Sequence, residues 1–361
     1  KDGILFKMRR TQDLPDKESA TMFFQDCKLA HQAQITGISH SVKEILPPDL
    51  LDLTQLQKEA NIRYGFTASE VYDIAQSLYE KKLISYPRTS SRYLTEDVLD
   101  SLSPIMARLL SWELFPAAKG TGGIDISSLS RHVINAEKAN VHHAIIITGI
   151  RPGNMSEKEM QVYRLVAGRM LETFMAPCRI ETTNVEAVCA AQHFKAEQTR
   201  IIEAGWHDVF MRSDMVPKSG YSVNELPEVE KSDTLNVCGC NMVHKKQLPV
   251  NPFTDAELVE YMEQNGLGTV SSRTNIIRTL VNRKYIRYSG KYIVPTPKGM
   301  FTYETIRGKK IADTSLTADW EKQLAGLESG MITGQDFLNR IRTLAKEMTD
   351  DIFNTYSTKE E

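Results

Sequence analysis

Leu83-Ile-Ser-Tyr86-Pro87-Arg88-Thr-Ser-Ser-Arg92-Tyr93-Leu94 follows directly on a run with helical period and breaks it at the proline. Proline disfavours the helical region for the residue before it, so Tyr86 is expected to be extended. In an extended segment side chains two apart point the same way, which places Tyr86 and Arg88 on one face. That pairing has a chemical use. A phenol with a pKa of about 10 is a poor nucleophile at neutral pH, and a nearby guanidinium favours the phenolate. The same guanidinium can hold a phosphate and stabilise charge that builds up in phosphoryl transfer. Read in isolation, Tyr-Pro-Arg is far more often a helix end followed by a solvated arginine, and the spacing alone is a weak signal. The surrounding sequence has to decide.

Upstream, Thr67-Ala-Ser-Glu70 is a capping box, and Val71, Ile74, Ala75, Leu78 and Tyr79 then recur on one helical face. The pattern is helical from Thr54 to about Leu110, with a loop-like Lys119-Gly-Thr-Gly-Gly123 after it. Before it, the first 46 residues read as short extended pieces (Ile4-Leu-Phe6, Ile35-Thr-Gly-Ile38) and polar loops, closed by Pro47-Pro48. A second capping box, Ser156-Glu-Lys-Glu159, opens a helix with Tyr163, Val166, Ala167, Met170, Leu171 and Phe174 on one face, ended by Pro177. Residues from about 179 to 250 carry β-rich, partly alternating segments such as Thr183–Cys189. After Pro252 come a helix over Thr254–Met262, a Gly266-Leu-Gly268 turn, a helix from about Ser271 to Lys284, and two short strands around Ser289-Gly290. That order is the order of a winged helix-turn-helix.

Composition bounds the function less than it seems to. The chain has 361 residues, enough for two or three domains, and 44 Lys+Arg against 46 Asp+Glu leave a net charge of −2. Such a balance excludes a uniformly basic nucleic-acid coat, yet it averages an acidic stretch at 225–233 with a basic one at 273–291. The latter holds Arg273, Arg278, Arg283, Lys284, Arg287 and Lys291 with Tyr285, Tyr288 and Tyr292 interleaved. Cations that track phosphates and rings that stack on bases are what single-strand binding uses. The same stretch also reads as a solvated helix face with tyrosines packed beneath the hairpin. Five scattered cysteines fit a reducing compartment, taken as the cytoplasm. Cys238-Gly-Cys240 with His244 is too sparse for zinc, and no metal site is expected in this chain. No apolar run approaches membrane-spanning length.

Ala75-Gln-Ser-Leu-Tyr-Glu-Lys-Lys-Leu-Ile-Ser-Tyr86-Pro-Arg-Thr-Ser-Ser-Arg-Tyr-Leu94 closely resembles the active-site signature of type IA DNA topoisomerases, in particular the topoisomerase III branch. Further family elements are matched in order. They are Leu56-Gln-Lys-Glu-Ala60, His142-His143-Ala-Ile-Ile-Ile-Thr148, Gly266-Leu-Gly-Thr-Val-Ser-Ser-Arg273 and Leu316-Thr-Ala-Asp-Trp-Glu321. The resemblance implies that Tyr86 attacks a phosphodiester of single-stranded DNA, forming a 5′-phosphotyrosyl link that the freed 3′-hydroxyl later reseals, without ATP. It makes Arg88 the scissile-phosphate contact and His142 the histidine that assists cleavage; His143 is left structural. It marks Gly268, Thr269, Ser272, Arg273, Arg278 and Arg92 as DNA-binding positions.

The implied fold is an α+β, multidomain, toroidal core. Residues 1–47 and 180–250 would make a β-rich hinge domain, 48–179 the helical domain with the tyrosine, and 251–361 part of a winged-helix-like domain. Three positions depart from the family pattern: Ser90 for an acidic residue, and Ile147 and Val270 for prolines. The family's opening Toprim domain, with its magnesium-binding Asp-x-Asp, finds no match before Tyr86. The chain is therefore expected to be a fragment that binds single-stranded DNA but is inactive alone, with Mg2+ held elsewhere in a complete bacterial enzyme. That enzyme would act as a monomer on negatively supercoiled DNA or recombination intermediates. A non-catalytic single-strand-binding module of the same fold is the alternative. A tyrosine recombinase is disfavoured, because there the tyrosine follows the Arg and His residues.

Overall fold

In the computed structural model, residues 3–112, 114–116, 133–139, 142–210, 219–244 and 251–357 are described. The expected loop at Lys119–Gly123 lies outside them. The chain divides into two compact units, one from Lys1–Pro48, Leu110–Arg131 and Met170–Pro249, the other from Asp49–Leu109, His132–Arg169 and Val250–Glu361.

The first unit is built on an antiparallel sheet in the order β1-β4-β3-β2-β5. Its strands are β1 (Arg9–Arg10), β2 (Gln32–Ile45), β3 (Cys178–Cys189), β4 (Gln192–Glu203) and β5 (Thr234–Asn236). β2 pairs with β3 from Gln34↔Val188 to Ile45↔Cys178, with a bulge between Ile35 and Gly37. Two segments more than 130 residues apart in sequence thus make its longest ladder. Ile35, Val185, Ala187, Ala196 and Leu235 form one apolar cluster with Cys27. Cys27 belongs to α1 (Lys17–Leu29), capped by Asp16, whose carboxylate accepts from the Ser19 N–H. This helix corrects the expectation of loops and extended pieces in the first 46 residues. Its apolar stripe is short, Ala20, Phe23, Phe24 and Cys27 at i, i+3, i+4 and i+7. Cys27 is buried, the other three are half-buried, and Met22 and Leu29 face solvent. Burial pushes the Cys27 thiol up to about 11, so it packs as a small apolar group rather than a nucleophile.

In the second unit α2 (Leu53–Tyr64) starts at Asp52 and ends at Gly65, whose φ of 70° is the left-handed conformation a helix stop requires. The Thr67 capping box opens α3 (Ala68–Glu80), which buries Val71, Ala75 and Leu78. α4 (Glu96–Ser111) follows, and α5 (Glu157–Thr173) opens at the Ser156–Glu159 box. The predicted face of α5, from Tyr163 to Phe174, is fully buried. α6 (Asp255–Gln264), α7 (Arg273–Asn282) and the hairpin of β6 (Ile286–Ser289) and β7 (Tyr292–Pro295) have the winged-helix order. Ala68 of α3 packs with Val259, Met262, Ile277 and Ile293, so this module shares a core with the start of the tyrosine-bearing region. α8 (Pro297–Ile306), α9 (Thr314–Glu328) and α10 (Gly334–Ser357) complete the unit. No helix among the described residues is long and apolar enough to cross a membrane.

Candidate active site around Tyr86

The C-terminus of α3 delivers the chain to Tyr86 through a specific turn. The Leu83 N–H bonds the Leu78 carbonyl at 2.9 Å and the Lys82 N–H bonds the Tyr79 carbonyl at 2.8 Å, with Lys82 left-handed at φ 58°. This paired bonding satisfies the orphan carbonyls of the helix end and reverses the chain. Leu83 to Ser85 then run antiparallel to Ile146–Thr148: Ser85 N–H to Ile146 O, 2.8 Å; Thr148 N–H to Leu83 O, 3.1 Å. Ser85 Oγ bridges across, donating to Ala144 O and accepting from the Ile146 N–H. Thr89 Oγ1 donates to the carbonyl of His142 at 2.8 Å. Motifs separated by more than fifty residues are thereby fastened side by side.

Burial alternates along the segment as an extended chain requires. Pro87 and Thr89 are buried, while Tyr86 and Arg88 are half-buried on the other side. The Tyr86 ring lies between two others, with the His142 centroid at 4.5 Å and the Tyr79 centroid at 5.4 Å in an edge-on arrangement. Tyr79, expected within the apolar face of α3, is instead 38% exposed at this site. The Arg88 guanidinium lies 5.1 Å from the Tyr72 ring centroid, and its Nη2 is 3.4 Å from Gln76 Oε1. Its Nε is buried without a hydrogen-bond partner. No carboxylate among the described residues comes within ion-pair distance of it. Sequence reading missed Tyr72, Gln76 and Ser85 as neighbours of the site. The available signal was the spacing of Tyr72, Gln76 and Tyr79 at i, i+4 and i+7 on α3, beside its buried stripe.

The other candidate positions are differently placed. Arg92 Nε is 2.6 Å from Asp52, a residue 2% exposed that also caps α2 through the Gln55 N–H. Arg273 is 8% exposed and donates to Glu263 at 3.1 Å. Arg278 reaches Asp73 at 2.9 Å and also bonds Ser69. These three arginines tie elements of the unit together. Tyr288, counted among rings that could stack, donates its hydroxyl to buried Asp255 at 2.9 Å. Arg283, Lys284, Arg287 and Lys291 are the exposed cations of the basic stretch. Gly268 has a φ of 70°, and a Cβ there would come within 2.8 Å of Ser272 Oγ. Thr269 N–H donates to that same Ser272 Oγ at 2.7 Å. Of the departures, Ser90 is exposed, Ile147 is fully buried opposite Ile84, and Val270 is half-buried.

A family model described as DNA topoisomerase matches residues 3–339. The chain belongs to that family. Among its relatives, the DNA topoisomerase 3 of Bacillus licheniformis is 31% identical over 344 residues, spanning 89% of this chain and 47% of that protein. The Bacillus subtilis DNA topoisomerase 3 is 30% identical over 355 residues, 91% of this chain and 48% of its own length. The family chain thus spans about half the length of the curated relatives it matches, and it is a type IA, topoisomerase III-like sequence. The full-length topoisomerase I of Thermotoga maritima shares its fold, with a TM-score of 0.72 and 22% identity over 94% of this chain and 56% of that one.

Magnesium, which the family implies, does not fit this site. Among the described residues the groups in contact with Tyr86 and Arg88 are phenols, an imidazole and an amide. The one carboxylate bonded to that amide, Glu80, stands alone where a hard cation needs several oxygens. Among the described residues no cluster of three or more His, Cys, Asp or Glu could hold a metal ion.

Proposed function

We propose that this chain is the part of a type IA DNA topoisomerase that carries the nucleophile, and that Tyr86 breaks one strand of DNA by transesterification. The phenolic oxygen attacks the phosphorus, the bond from phosphorus to the 3′-oxygen breaks, and the departing oxygen takes a proton to become a 3′-hydroxyl. The Tyr86 proton leaves as the new bond forms. His142, ring against ring with Tyr86 at 4.5 Å between centroids, is the adjacent group able to donate or accept that proton. Reversal reseals the strand after another has passed through. One phosphoester replaces another throughout, so ATP is not needed.

The observation that carries this reading is Arg88. Arg92, Arg273 and Arg278 each have a carboxylate partner, whereas Arg88, beside the nucleophile, has none among the described residues. A cation left uncompensated in a half-buried site is complementary to an anion that arrives with the substrate. Arg283, Lys284 and Arg287 would track the strand further out. Gly268, Thr269 and Ser272 would meet it at the start of α7. Arg92, Arg273 and Arg278 would act through the architecture of the unit, or on DNA once their carboxylates release them. Magnesium would be held by parts of the complete enzyme other than these residues. Single-stranded DNA is the proposed ligand, with negatively supercoiled DNA or recombination intermediates the substrates of the whole protein, acting as a monomer in the bacterial cytoplasm.

The full-length protein that contains this chain, mixed with labelled single-stranded DNA and denatured, should yield a covalent adduct at the 5′ side of the break. Tyr86→Phe should bind DNA equally and yield none. DNA binding by the unaltered protein with no adduct would favour a non-catalytic single-strand-binding module. The 361-residue chain alone should bind the oligonucleotide yet leave a negatively supercoiled plasmid unrelaxed in Mg2+.

A further inference from the structure

The face of α3 turned to the active site does one thing that no carboxylate could do there. Arg88 has five donors on a planar fork and a long flexible stem, so its direction must be set by contacts. Four other arginines of this unit are directed by carboxylates: Arg92 by Asp52, Arg273 by Glu263, Arg278 by Asp73 and Arg169 by Glu59. Such a partner fixes the fork but also cancels its charge and competes with an incoming phosphate. Arg88 is held otherwise. The Tyr72 ring lies against the guanidinium at 5.1 Å, and the neutral Gln76 amide accepts from Nη2 at 3.4 Å. Both residues sit one helical turn apart on α3, beside the face that Val71, Ala75 and Leu78 lock into the core.

We propose that Tyr72 and Gln76 are positioning residues for Arg88, orienting its guanidinium by a ring face and an amide oxygen so that its full charge stays available to a DNA phosphate. This rests on the reading of Arg88 as the phosphate contact. A π face attracts the cation electrostatically without neutralising it. The amide completes the orientation without bringing a charge to the guanidinium.

The test is a double-mutant cycle on the 361-residue chain, read by fluorescence anisotropy of a labelled single-stranded oligonucleotide, with thermal melts of every variant. Arg88→Ala should weaken binding by about 10-fold, as loss of a charge-assisted contact does. Tyr72→Leu should weaken it by roughly 3- to 10-fold through loss of the ring. Tyr72→Leu on the Arg88→Ala background should cost nothing further. Tyr72→Phe, which keeps the ring, should bind as the unaltered chain does. Gln76→Leu should show a smaller loss that is likewise absent without Arg88. If Arg88→Ala weakens binding while Tyr72→Leu does not, or if the two losses add, the positioning role is overturned and the reading of Arg88 stands. If Arg88→Ala binds normally, the reading of Arg88 falls, and the positioning role falls with it.

Discussion

At Glu159 one carboxylate serves two elements. It closes the capping box of α5 and accepts from Ser77 Oγ and Lys81 at the end of α3, the helix that leads into Tyr86. The Lys81 ammonium and the Ser156 N–H hold its carboxyl well down, from 4.5 to about 2. A depressed pKa means the stabilisation is complete above the ordinary value and is lost as pH falls toward the depressed one. Glu159→Gln keeps most of the cap and removes the charge. It should lower stability at pH 7 by about 1 kcal/mol, since Lys81 is largely solvated and water screens the pair. Melts followed by circular dichroism at pH 7 and pH 3 should show the gap between variant and parent shrinking at the lower pH. Arg92 and Arg273 show the limit of reading single residues. Both belong to matched motifs, but nothing local reveals that Asp52 and Glu263 will face them. Those partners lie 40 and 10 residues away and are brought close by packing.

Helices that begin with a hydroxyl and a carboxylate three residues later were legible from sequence. α3 and α5 start where Thr67 and Ser156 indicate, because a capping box is satisfied within four residues. The hairpin of β6 and β7 turns at Gly290, φ 60°, for an equally local reason. The hairpin of β3 and β4 gave no such sign. Its turn is Ala190-Ala191, left-handed at φ 47° and 59°, where Asn-Gly is the usual solution. Each alanine is held there against about 1–2 kcal/mol of intrinsic preference by the eleven-pair ladder on either side. Replacing Ala190-Ala191 by Asn-Gly should therefore stabilise the protein by about 1 kcal/mol, measured by urea denaturation. An unchanged midpoint would show that the turn carries no such strain. α1 was in principle legible, from the Asp16 cap and the face of Ala20, Phe23, Phe24 and Cys27, but that stripe spans only two turns and is half-buried except at Cys27.

At the scale of the molecule, both units are assembled from separated stretches of chain. In the first, Gly205 makes one such juncture possible. At φ 53°, its ideal Cβ would come within 2.4 Å of the carbonyl oxygens of Ala176 and Pro177. Gly205→Ala has backbone to displace and no flexible side chain to yield, so it should cost about 3 kcal/mol or more, checked by thermal melting. Trp206, buried next to it with its indole N–H on the Ile45 carbonyl, would be disturbed too, and its fluorescence would report the change. The sequence alone determined the helix starts, the extended Tyr86–Arg88 face, the winged-helix order and the family, because each is written in residues close together or in motifs kept in order. Tertiary structure decided which cations are free. Ion pairing depends on distances between segments far apart in the chain, and by that criterion Arg92, Arg273 and Arg278 are bound to carboxylates, while Arg88 has no carboxylate partner among the described residues.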